Sequence, residues 1–437
     1  MEKLEMLQTV EKLLKNYKWE IYLLSTKKLK SSSKNFQIEN LINSEDTGIG
    51  IRVYREGHTG FSYTTNVNKD NIERAVEKAI EISRISSPEE FIPFKKLEKI
   101  EQTLEEYDSY TAEKIKAEEK INLPIEIEYS LRKKDSRIKN IRDCSFSETI
   151  FQYKIINSEG LDISEKGTIY TVSISPVAEE NGNFQIVWGF TQSRYLKDLD
   201  LDGTIEETVK NAINLLNAKP IQTTKMYINF PPYAFSQLLE VFYPAFSGEF
   251  LIKNKNKLNI EDKAGVETLN IIDDGKLLGG IMTRSYDDEG VPTKKTYIIK
   301  SGIMKNFLHN LYTASQVKAE STGNGFRNSY KDLPSIKPSN LFVDKGNKKI
   351  NYPDRYFHVV EMLGLHTSNP VTGDFSVGVS GFIVENGEIV QPVNSVTLSG
   401  NFFELLKSII QIGNDLKFYG NFGSPSILVD KMMIGGV

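Results

Sequence analysis

The sequence predicts an α+β protein: an N-terminal α/β region in two parts with mostly antiparallel sheets, followed by a β-rich C-terminal domain. The 437 residues exceed what one ordinary core accommodates. Candidate strands are separated by turns and not by regular helices, which favours antiparallel sheets over a doubly wound nucleotide-binding fold. The last half is rich in glycine and strand-like. We expect three units, at residues 1–90, 91–218 and 219–437.

The composition is that of an ordinary globular protein, with 39% hydrophobic and 26% charged residues. The net charge is −4 and the basic residues are dispersed among acids, so the sequence has no electrostatic footprint for nucleic acid. It also has no apolar run of about 20 residues, the length that spans a bilayer. The N-terminus mixes acids into its first turns, unlike a secretion signal, and Cys144 is the single cysteine. We therefore expect a cytoplasmic protein.

The first unit is expected to open with an amphipathic helix over residues 4–14, because apolar side chains recur there at helical spacing. A β-hairpin is expected over residues 48–64, with Gly57 supplying the positive φ of its tight turn. Asp70 and Glu73 form a candidate capping box at the start of the next helix. The order of elements is therefore helix, strand meander and helix.

The second unit follows a charged, proline-punctuated connector at residues 86–119. Its expected strands are residues 125–131, 148–157, 168–175 and 184–192. A second candidate capping box, from Thr204 to Glu207, is expected to open the helix that closes this unit. The third unit begins with an expected strand at residues 225–229 and a helix after Pro231, since proline is tolerated in a first helical turn.

Histidine is the first residue type to examine for chemistry, because a zinc peptidase helix places two histidines one turn apart with a glutamate beside the first. None of the four histidines is followed by glutamate. The nearest pair, His358 and His366, is eight residues apart. Scattered structural histidines are therefore expected. The sequence also has no Walker loop, nucleophile elbow or dinucleotide-binding glycine motif.

Two acidic clusters remain, at residues 273–274 and 287–289. They could hold a hard cation such as magnesium, but both lie beside glycine, which favours acidic turns. Cys144 has Arg142 nearby, yet a single cysteine without an evident base is usually inert. Residues 320–327 form a small, polar segment that could present amides and an arginine to a peptide, although a plain turn fits equally well. The resulting candidates for contact with a peptide or a partner are Asp288, Glu289, Ser321, Thr322, Asn324 and Arg327.

Several glycine-punctuated segments, in order, resemble the TldD/PmbA family of peptidase-related proteins, and its PmbA (TldE) branch in particular. The segments are Thr47-Gly-Ile-Gly-Ile-Arg-Val-Tyr54 with Gly60-Phe-Ser-Tyr-Thr-Thr65, Asp287-Asp-Glu-Gly-Val-Pro-Thr293, Ser321-Thr-Gly-Asn324, Thr372-Gly-Asp-Phe-Ser376, and Gly413-Asn-Asp415 with Ser424-Pro-Ser426. The resemblance covers nearly the whole chain. It implies an assembly of two related subunits that degrades unfolded or short peptides. One subunit, TldD, holds zinc through H-E-x-x-x-H and a later cysteine, and the other lacks that motif.

The resemblance also aligns the zinc helix of TldD with residues 238–249 of this chain. The first histidine then falls on Glu240, the glutamate on Val241 and the second histidine on Ala245, with Pro244 disturbing the helix. These are degenerate zinc-motif positions, so no catalytic residue, metal site or cofactor is expected in this chain. The apolar stripe of this helix is expected to pack in a core or against a partner.

The leading hypothesis is a non-catalytic PmbA/TldE-like subunit of a TldD/TldE-type zinc peptidase system. Its expected partners are a TldD-like subunit that carries the zinc and unfolded or short peptides, and a second copy of this chain is the alternative protein partner. Exposed strand edges would accept such peptides. Two alternatives remain open: a stand-alone peptidase that uses the acidic clusters or Cys144, and a peptide-binding modulator without peptidase activity.

Overall fold

The computed structural model describes residues 10–89, 94–98, 100, 104 and 106–436. It confirms the α+β class, with an antiparallel N-terminal sheet followed by a β-rich C-terminal half that contains a closed barrel. Within the described residues, no helix is both long and apolar enough to cross a membrane. The helix expected at residues 4–14 is described only from residue 10, and residues 10–13 are helical.

The N-terminal half is built on one seven-stranded antiparallel sheet in the order β3-β2-β1-β4-β5-β6, with β7 also paired to β5. Its strands are β1 (Lys18–Lys34), β2 (Gln37–Arg55), β3 (His58–Thr64), β4 (Ile138–Asn157), β5 (Asp162–Glu180), β6 (Asn183–Ile186) and β7 (Gly189–Ser193). Strand β1 pairs with β4 over most of its length, for example Ile21 with Ile156. The two N-terminal parts of the chain therefore share a continuous sheet.

The β2–β3 hairpin has the expected turn, in which Gly57 adopts a φ of 89°. The helix that follows, α1 (Lys69–Ile85), begins two residues earlier than a capping box with Asp70 as its N-cap implies. Asn68 is its N-cap, because the Asn68 side chain accepts a hydrogen bond from the Asn71 backbone N–H. The capping box assigned to Asp70 is therefore wrong, although the helix itself is confirmed.

The strand expected at residues 125–131 is wrong. These residues belong to α3 (Ala117–Lys134), which follows the short helix α2 (Ser109–Lys114). The alternating sequence hid the helical period because two members of the buried face are charged. Lys120 and Glu128 lie on that face beside Ile127 and Leu131, and each charge has a partner, such as Glu148 at 2.8 Å from Lys120.

Helix α4 (Leu201–Asn214) packs against β5 and closes the N-terminal half. Its N-cap is Asp200, whose carboxylate accepts a hydrogen bond from the Gly203 N–H. The second capping box is thus also wrong, since Thr204 lies inside the helix. Asp200 was the better candidate because aspartate is among the strongest N-cap residues.

The C-terminal barrel is a ring of five strands in the order β17-β16-β15-β8-β21, closed by pairing between β17 and β21, with β18 added on β21. The strands are β8 (Thr224–Phe230), β15 (Arg355–Leu363), β16 (Asp374–Glu385), β17 (Glu388–Asn401), β18 (Ile409–Ile412) and β21 (Ile427–Gly435). Only the β8–β15 pair within this sheet is parallel. Closure leaves the five ring strands without a free edge along the paired segments.

A second C-terminal sheet has the order β11-β10-β9-β14-β20-β19, and β12 pairs with β13 beside it. These strands are β9 (Ile271–Asp274), β10 (Lys295–Lys300), β11 (Ile303–Met304), β12 (Gly325–Phe326), β13 (Ser335–Ile336), β14 (Leu341–Val343), β19 (Lys417–Tyr419) and β20 (Phe422–Ser424). The remaining helices are α5 (Pro232–Phe242), α6 (Gly248–Ile252), α7 (Leu311–Gln316) and α8 (Phe402–Lys407). Helix α5 contributes to the largest hydrophobic core, together with residues of the barrel and of this sheet.

Candidate functional site

Helix α5 and the 3₁₀ turn that follows it carry the positions that the family resemblance aligns with a zinc motif. It starts with Pro232 in the first turn, as expected from the proline tolerance of that position. Phe235, Leu238, Leu239 and Phe242 have no exposed area, and the Phe242 ring stacks on another core ring at 4.5 Å. The apolar stripe of this helix is therefore part of the core of this chain.

The three degenerate positions cannot form a zinc-binding helix face. Glu240 is exposed, Val241 is partly buried, and Ala245 is 4% exposed in a 3₁₀ turn that begins after α5. Alanine and valine side chains offer no donor atom to a metal. Among the described residues, no group of three or more His, Cys, Asp or Glu side chains is arranged to hold a metal ion.

The four histidines are dispersed, as expected. His58 and His366 belong to the N-terminal hairpin and to a loop of the barrel, respectively. Burial lowers the pKa of His309 to about 4, and it lowers the pKa of His358 to about 4 as well. His309 contacts the Thr313 hydroxyl at 3.1 Å, whereas His358 contacts the Asn229 side-chain amide at 2.8 Å. With pKa values this low, both imidazoles are neutral at pH 7.

Cys144 is fully buried in β4, and its Sγ lies 3.2 Å from the Pro124 carbonyl oxygen. Burial raises the pKa of this thiol to about 12. The thiolate is the nucleophilic form of cysteine, so the side chain is held in its unreactive state at neutral pH. The arrangement fits a packing role.

Residues 287–289 form the expected acidic turn, and Gly290 adopts a φ of 76° there. The turn is nevertheless buried, since Asp288 is 1% and Glu289 is 2% exposed. Asp288 accepts hydrogen bonds from Arg284 and from the Arg327 backbone N–H, both at 2.8 Å. Glu289 accepts one from the Leu311 N–H at 2.7 Å. These carboxylates have protein partners.

Arg327 connects the two halves of the chain. Its guanidinium forms an ion pair with Glu20 of β1, and both side chains are 1% exposed. Glu20 also pairs with Arg52 of β2 at 3.0 Å, directly across the β1–β2 ladder. Together with Arg284 and Asp288, these residues form what we call the buried network. It joins the N-terminal sheet to residues 284–327 through charges that have lost their water and gained partners.

The small polar residues of the expected contact loop lie beside this network. Thr322 accepts a hydrogen bond from the His309 N–H at 2.7 Å, and Ser321 donates one to the His309 carbonyl at 3.1 Å. Asn324 is fully buried and donates to Asp273 at 2.7 Å. Of the six candidate contact residues only Ser321 is not buried, so contact with a peptide would require this region to open.

Burial also shifts the protonation of carboxyl groups in this region. It raises the pKa of Asp273 to about 7, against the hydrogen bond from Asn324. It likewise raises the pKa of Glu289 to about 7, against the opposing charge of Arg52. Burial and the neighbouring Glu289 carboxyl raise the pKa of Asp287 well above its ordinary value. Shifts of this size can mark functional sites, but charge networks within a core produce them as well.

An open cleft lies on another part of the molecule, and none of the six candidate contact residues predicted from the sequence lines it. It lies between β7 and α4 on one side and the start of α5, strands β15 and β16 and residues 415–419 on the other. Its volume is about 780 Å³. Pockets of this size are typical of ligand sites. The first turn of the degenerate helix, at Pro232 and Tyr233, forms part of its wall.

Four aromatic rings line this cleft, which we call the aromatic cleft after Trp188, Phe190, Tyr233 and Tyr419. Trp188 stacks on Phe190 at 4.7 Å, and Tyr233 meets Tyr419 edge-on at 5.0 Å. The two pairs are joined by contacts of 5.9 Å and 5.6 Å. Trp188 is 41% exposed, whereas a tryptophan that only packs in a hydrophobic core is usually much more buried.

Acids dominate the charged lining of the aromatic cleft. The lining carboxylates are Asp198, Asp200, Glu206, Glu207 and Asp415, and the lining ammonium groups are Lys210 and Lys417. Five negative against two positive charges leave an excess of three. Burial raises the pKa of the Tyr419 phenol, and the carboxylates of Glu207, Asp200 and Asp415 raise it further. The cleft therefore combines π faces with negative potential.

Comparison with known proteins identifies the family. Models described as PmbA/TldA metallopeptidase domain 1, central domain and C-terminal domain match residues 19–83, 110–216 and 223–436. The chain belongs to this PmbA/TldD metallopeptidase family. It is 26% identical to the Metalloprotease PmbA of Escherichia coli O157:H7 over 427 residues, which cover 95% of this chain and 92% of the relative.

Solved structures of relatives share the fold of this family member over its full length. One, described as a modulator of a DNA gyrase from Thermotoga maritima, has a TM-score of 0.91 at 27% identity and covers 99% of this chain and 100% of its own. The structure of TldE from Thermococcus kodakarensis has a TM-score of 0.90 at 23% identity and covers 99% of each chain. The second likeness concerns the fold alone.

The aromatic cleft of this PmbA/TldD family member could hardly be found from the sequence. Trp188, Tyr233 and Tyr419 come from segments more than 40 residues apart, and no short motif spans them. The one local signal is Trp188-Gly-Phe190, two aromatic residues around the start of β7 that are preceded by Ile186-Val187 and followed by polar residues. That pattern alone is equally typical of a packed sheet face.

Proposed function

We propose that this chain is a non-catalytic, PmbA/TldE-like subunit that acts in the cytoplasm with a TldD-like zinc peptidase on unfolded or short peptides. The observation that supports it most is the environment of the degenerate motif. Glu240, Val241 and Ala245 stand where the family resemblance puts the metal ligands and the base. Helix α5 and the 3₁₀ turn after it, which carry these residues, are packed into the core of this chain. Zinc and the proton-transfer chemistry would come from the partner.

The segment at the degenerate positions differs from a zinc-binding helix in its backbone geometry as well as in its missing metal ligands. Ala245 is nearly buried and follows Pro244 in a 3₁₀ turn, so it does not continue the α-helical phase of Glu240. An imidazole at position 245 would have to displace core side chains to fit. The segment is adapted to packing, which supports a structural contribution to a two-subunit system.

A free strand edge offers a docking surface for the partner. Strand β3 pairs with β2 only from Ile49 to Arg55, and no other described strand pairs with the outer edge of β2 before Ile49. Leu41 and Ile42 in this stretch are 52% and 48% exposed. An unpaired edge with apolar side chains readily accepts a further strand from another chain.

Co-purification with a TldD homologue tests the proposal. We expect a defined complex, and peptidase activity on an unstructured peptide that exceeds that of the homologue alone. Replacing Leu41→Glu and Ile42→Glu together should weaken the complex. The control is Leu278→Glu, an equally drastic change at a side chain that is 77% exposed and lies outside the edge. Absence of both a complex and a gain in activity with the unmodified chain would refute the proposal.

A further inference from the structure

The shape and size of the aromatic cleft suit a peptide segment. Its volume of about 780 Å³ lies toward the upper end of the range of small-molecule pockets, roughly 300–1,000 Å³. It also separates two structural units, since β7 and α4 form one wall and the barrel forms another. More than one residue of an extended chain fits into such a space.

The aromatic rings are held in place before any ligand arrives. The Trp188 indole N–H donates to Ser173 at 2.9 Å, and Ser173 donates to Asp143 at 2.7 Å. The Tyr233 hydroxyl accepts a hydrogen bond from Gln237 one helical turn later, at 2.9 Å. Rings fixed in this way lose little further side-chain entropy on binding, which favours affinity.

The net negative charge of the aromatic cleft favours a positively charged ligand. Lys417 already pairs with Glu207 at 3.1 Å, so this lysine and this carboxylate neutralise each other. Asp198, Asp200 and Glu206 are exposed at the cleft, and Lys210 is the other lining cation. An anionic or apolar ligand would leave the excess negative charge uncompensated, whereas a cation would neutralise it. Aromatic faces attract the same kind of group.

We propose that the aromatic cleft binds a cationic side chain, arginine or lysine, of an extended peptide segment. The guanidinium or ammonium group would lie against the rings and be neutralised by the acids of the rim. This property belongs to the single chain and goes beyond the proposed subunit role. Its test needs no partner, so its failure is distinguishable from failure of the docking experiment.

The direct experiment compares two matched peptides by isothermal titration calorimetry with the full chain. Both are short, acetylated and amidated glycine-alanine peptides, one with a central arginine and the other with citrulline, which has the same shape without the charge. We expect the arginine peptide to bind at least about tenfold more tightly. Equal binding of the two peptides, or no binding of either, would overturn the proposal.

Variants locate the site. Glu206→Gln removes a lining charge and should weaken the arginine peptide by about threefold to tenfold. Asp202→Asn is the matched control, since it removes an exposed charge from the same helix one turn earlier without touching the cleft. It should change affinity by less than about twofold. Equal effects of the two variants would place the peptide elsewhere and contradict the assignment.

A final arm distinguishes a peptide from a free amino acid. N-acetylarginine amide supplies the same guanidinium without neighbouring residues. We expect it to bind several-fold more weakly than the arginine peptide, because it leaves most of the cleft empty. Binding of the free compound as tightly as the peptide would contradict the claim that a peptide segment is the ligand.

Discussion

The buried network around Glu20 and the aromatic cleft are both rich in charge, but they use it in opposite ways. In the network, Glu20 lies between Arg52 and Arg327, and water is excluded from all three side chains. In the cleft, five carboxylates face two lysines and remain in contact with solvent. Charges that already have partners hold structural units together, whereas an exposed surplus remains available to a ligand.

Breaking the buried network should have the largest effect on the free energy of unfolding. Glu20→Gln removes the carboxylate shared by two buried guanidinium groups, and loss of one partner of a buried pair costs about 3–5 kcal/mol. Urea unfolding should show a loss of this size. Glu45→Gln is the control on the same two strands, because the Lys27–Glu45 pair is about 60% exposed on both sides. It should change stability by less than about 0.5 kcal/mol.

The free energy of unfolding should depend on pH through Asp273, which is hydrogen-bonded to Asn324 beside the buried network. Its pKa is raised to about 7 in the folded chain, so the native state holds this proton more tightly than the unfolded chain does. Its contribution is therefore complete near pH 4 and is lost as the pH rises to about 7. Relative to Asp273→Asn, the free energy of unfolding of the natural chain should fall by about 2–4 kcal/mol over this range.

Urea unfolding of both proteins at several pH values between these limits checks the prediction. Asparagine is the suitable replacement because its oxygen can still accept the hydrogen bond from Asn324. A difference between the two proteins that stays constant with pH would show that Asp273 keeps an ordinary pKa.

The packing of the N-terminal sheet against the C-terminal half should be sensitive at Gly48. A Cβ atom there would lie 2.3 Å from the Tyr330 ring, so Gly48→Ala should destabilise the chain by about 1–3 kcal/mol. Gly378→Ala is the control in a barrel strand, where the nearest atom is 3.7 Å away. Thermal unfolding should separate the two, and equal melting temperatures would contradict this packing.

The aromatic cleft should respond differently to mutation. Trp188→Leu removes a half-exposed ring and one hydrogen bond, so it should cost no more than about 1 kcal/mol of stability. It should nevertheless weaken binding of the arginine peptide strongly. A large loss of stability would indicate that the cleft is a structural feature and would remove the contrast with the buried network.

The same contrast explains what the sequence could and could not predict. The β2–β3 hairpin and helix α5 were predictable because local signals determine them, namely Gly57 in a tight turn and Pro232 before an apolar stripe. Helix α3 was mistaken for a strand because its buried face includes two charged residues. Lys120 pairs with Glu148 of β4, whereas Glu128 pairs with Arg132 one turn later in the same helix.

The candidate site shows the same limit. The acidic turn at residues 287–289 was recognised, but its burial depends on Arg284 and Arg327 and on the sheet that covers them. The aromatic cleft was missed because Trp188, Tyr233 and Tyr419 meet only in the folded chain. The polar composition of a segment marks it as a candidate contact site in the sequence. Only the exposure of its side chains in the folded chain decides whether their charges can reach a ligand.

The most direct measurement is the zinc content and peptidase activity of this chain alone, of a TldD homologue alone, and of their mixture. We expect no stoichiometric zinc and no activity for this chain by itself, zinc in the homologue, and the highest activity in the mixture. Stoichiometric zinc in the purified chain, together with hydrolysis of a peptide in the absence of any partner, would contradict this expectation.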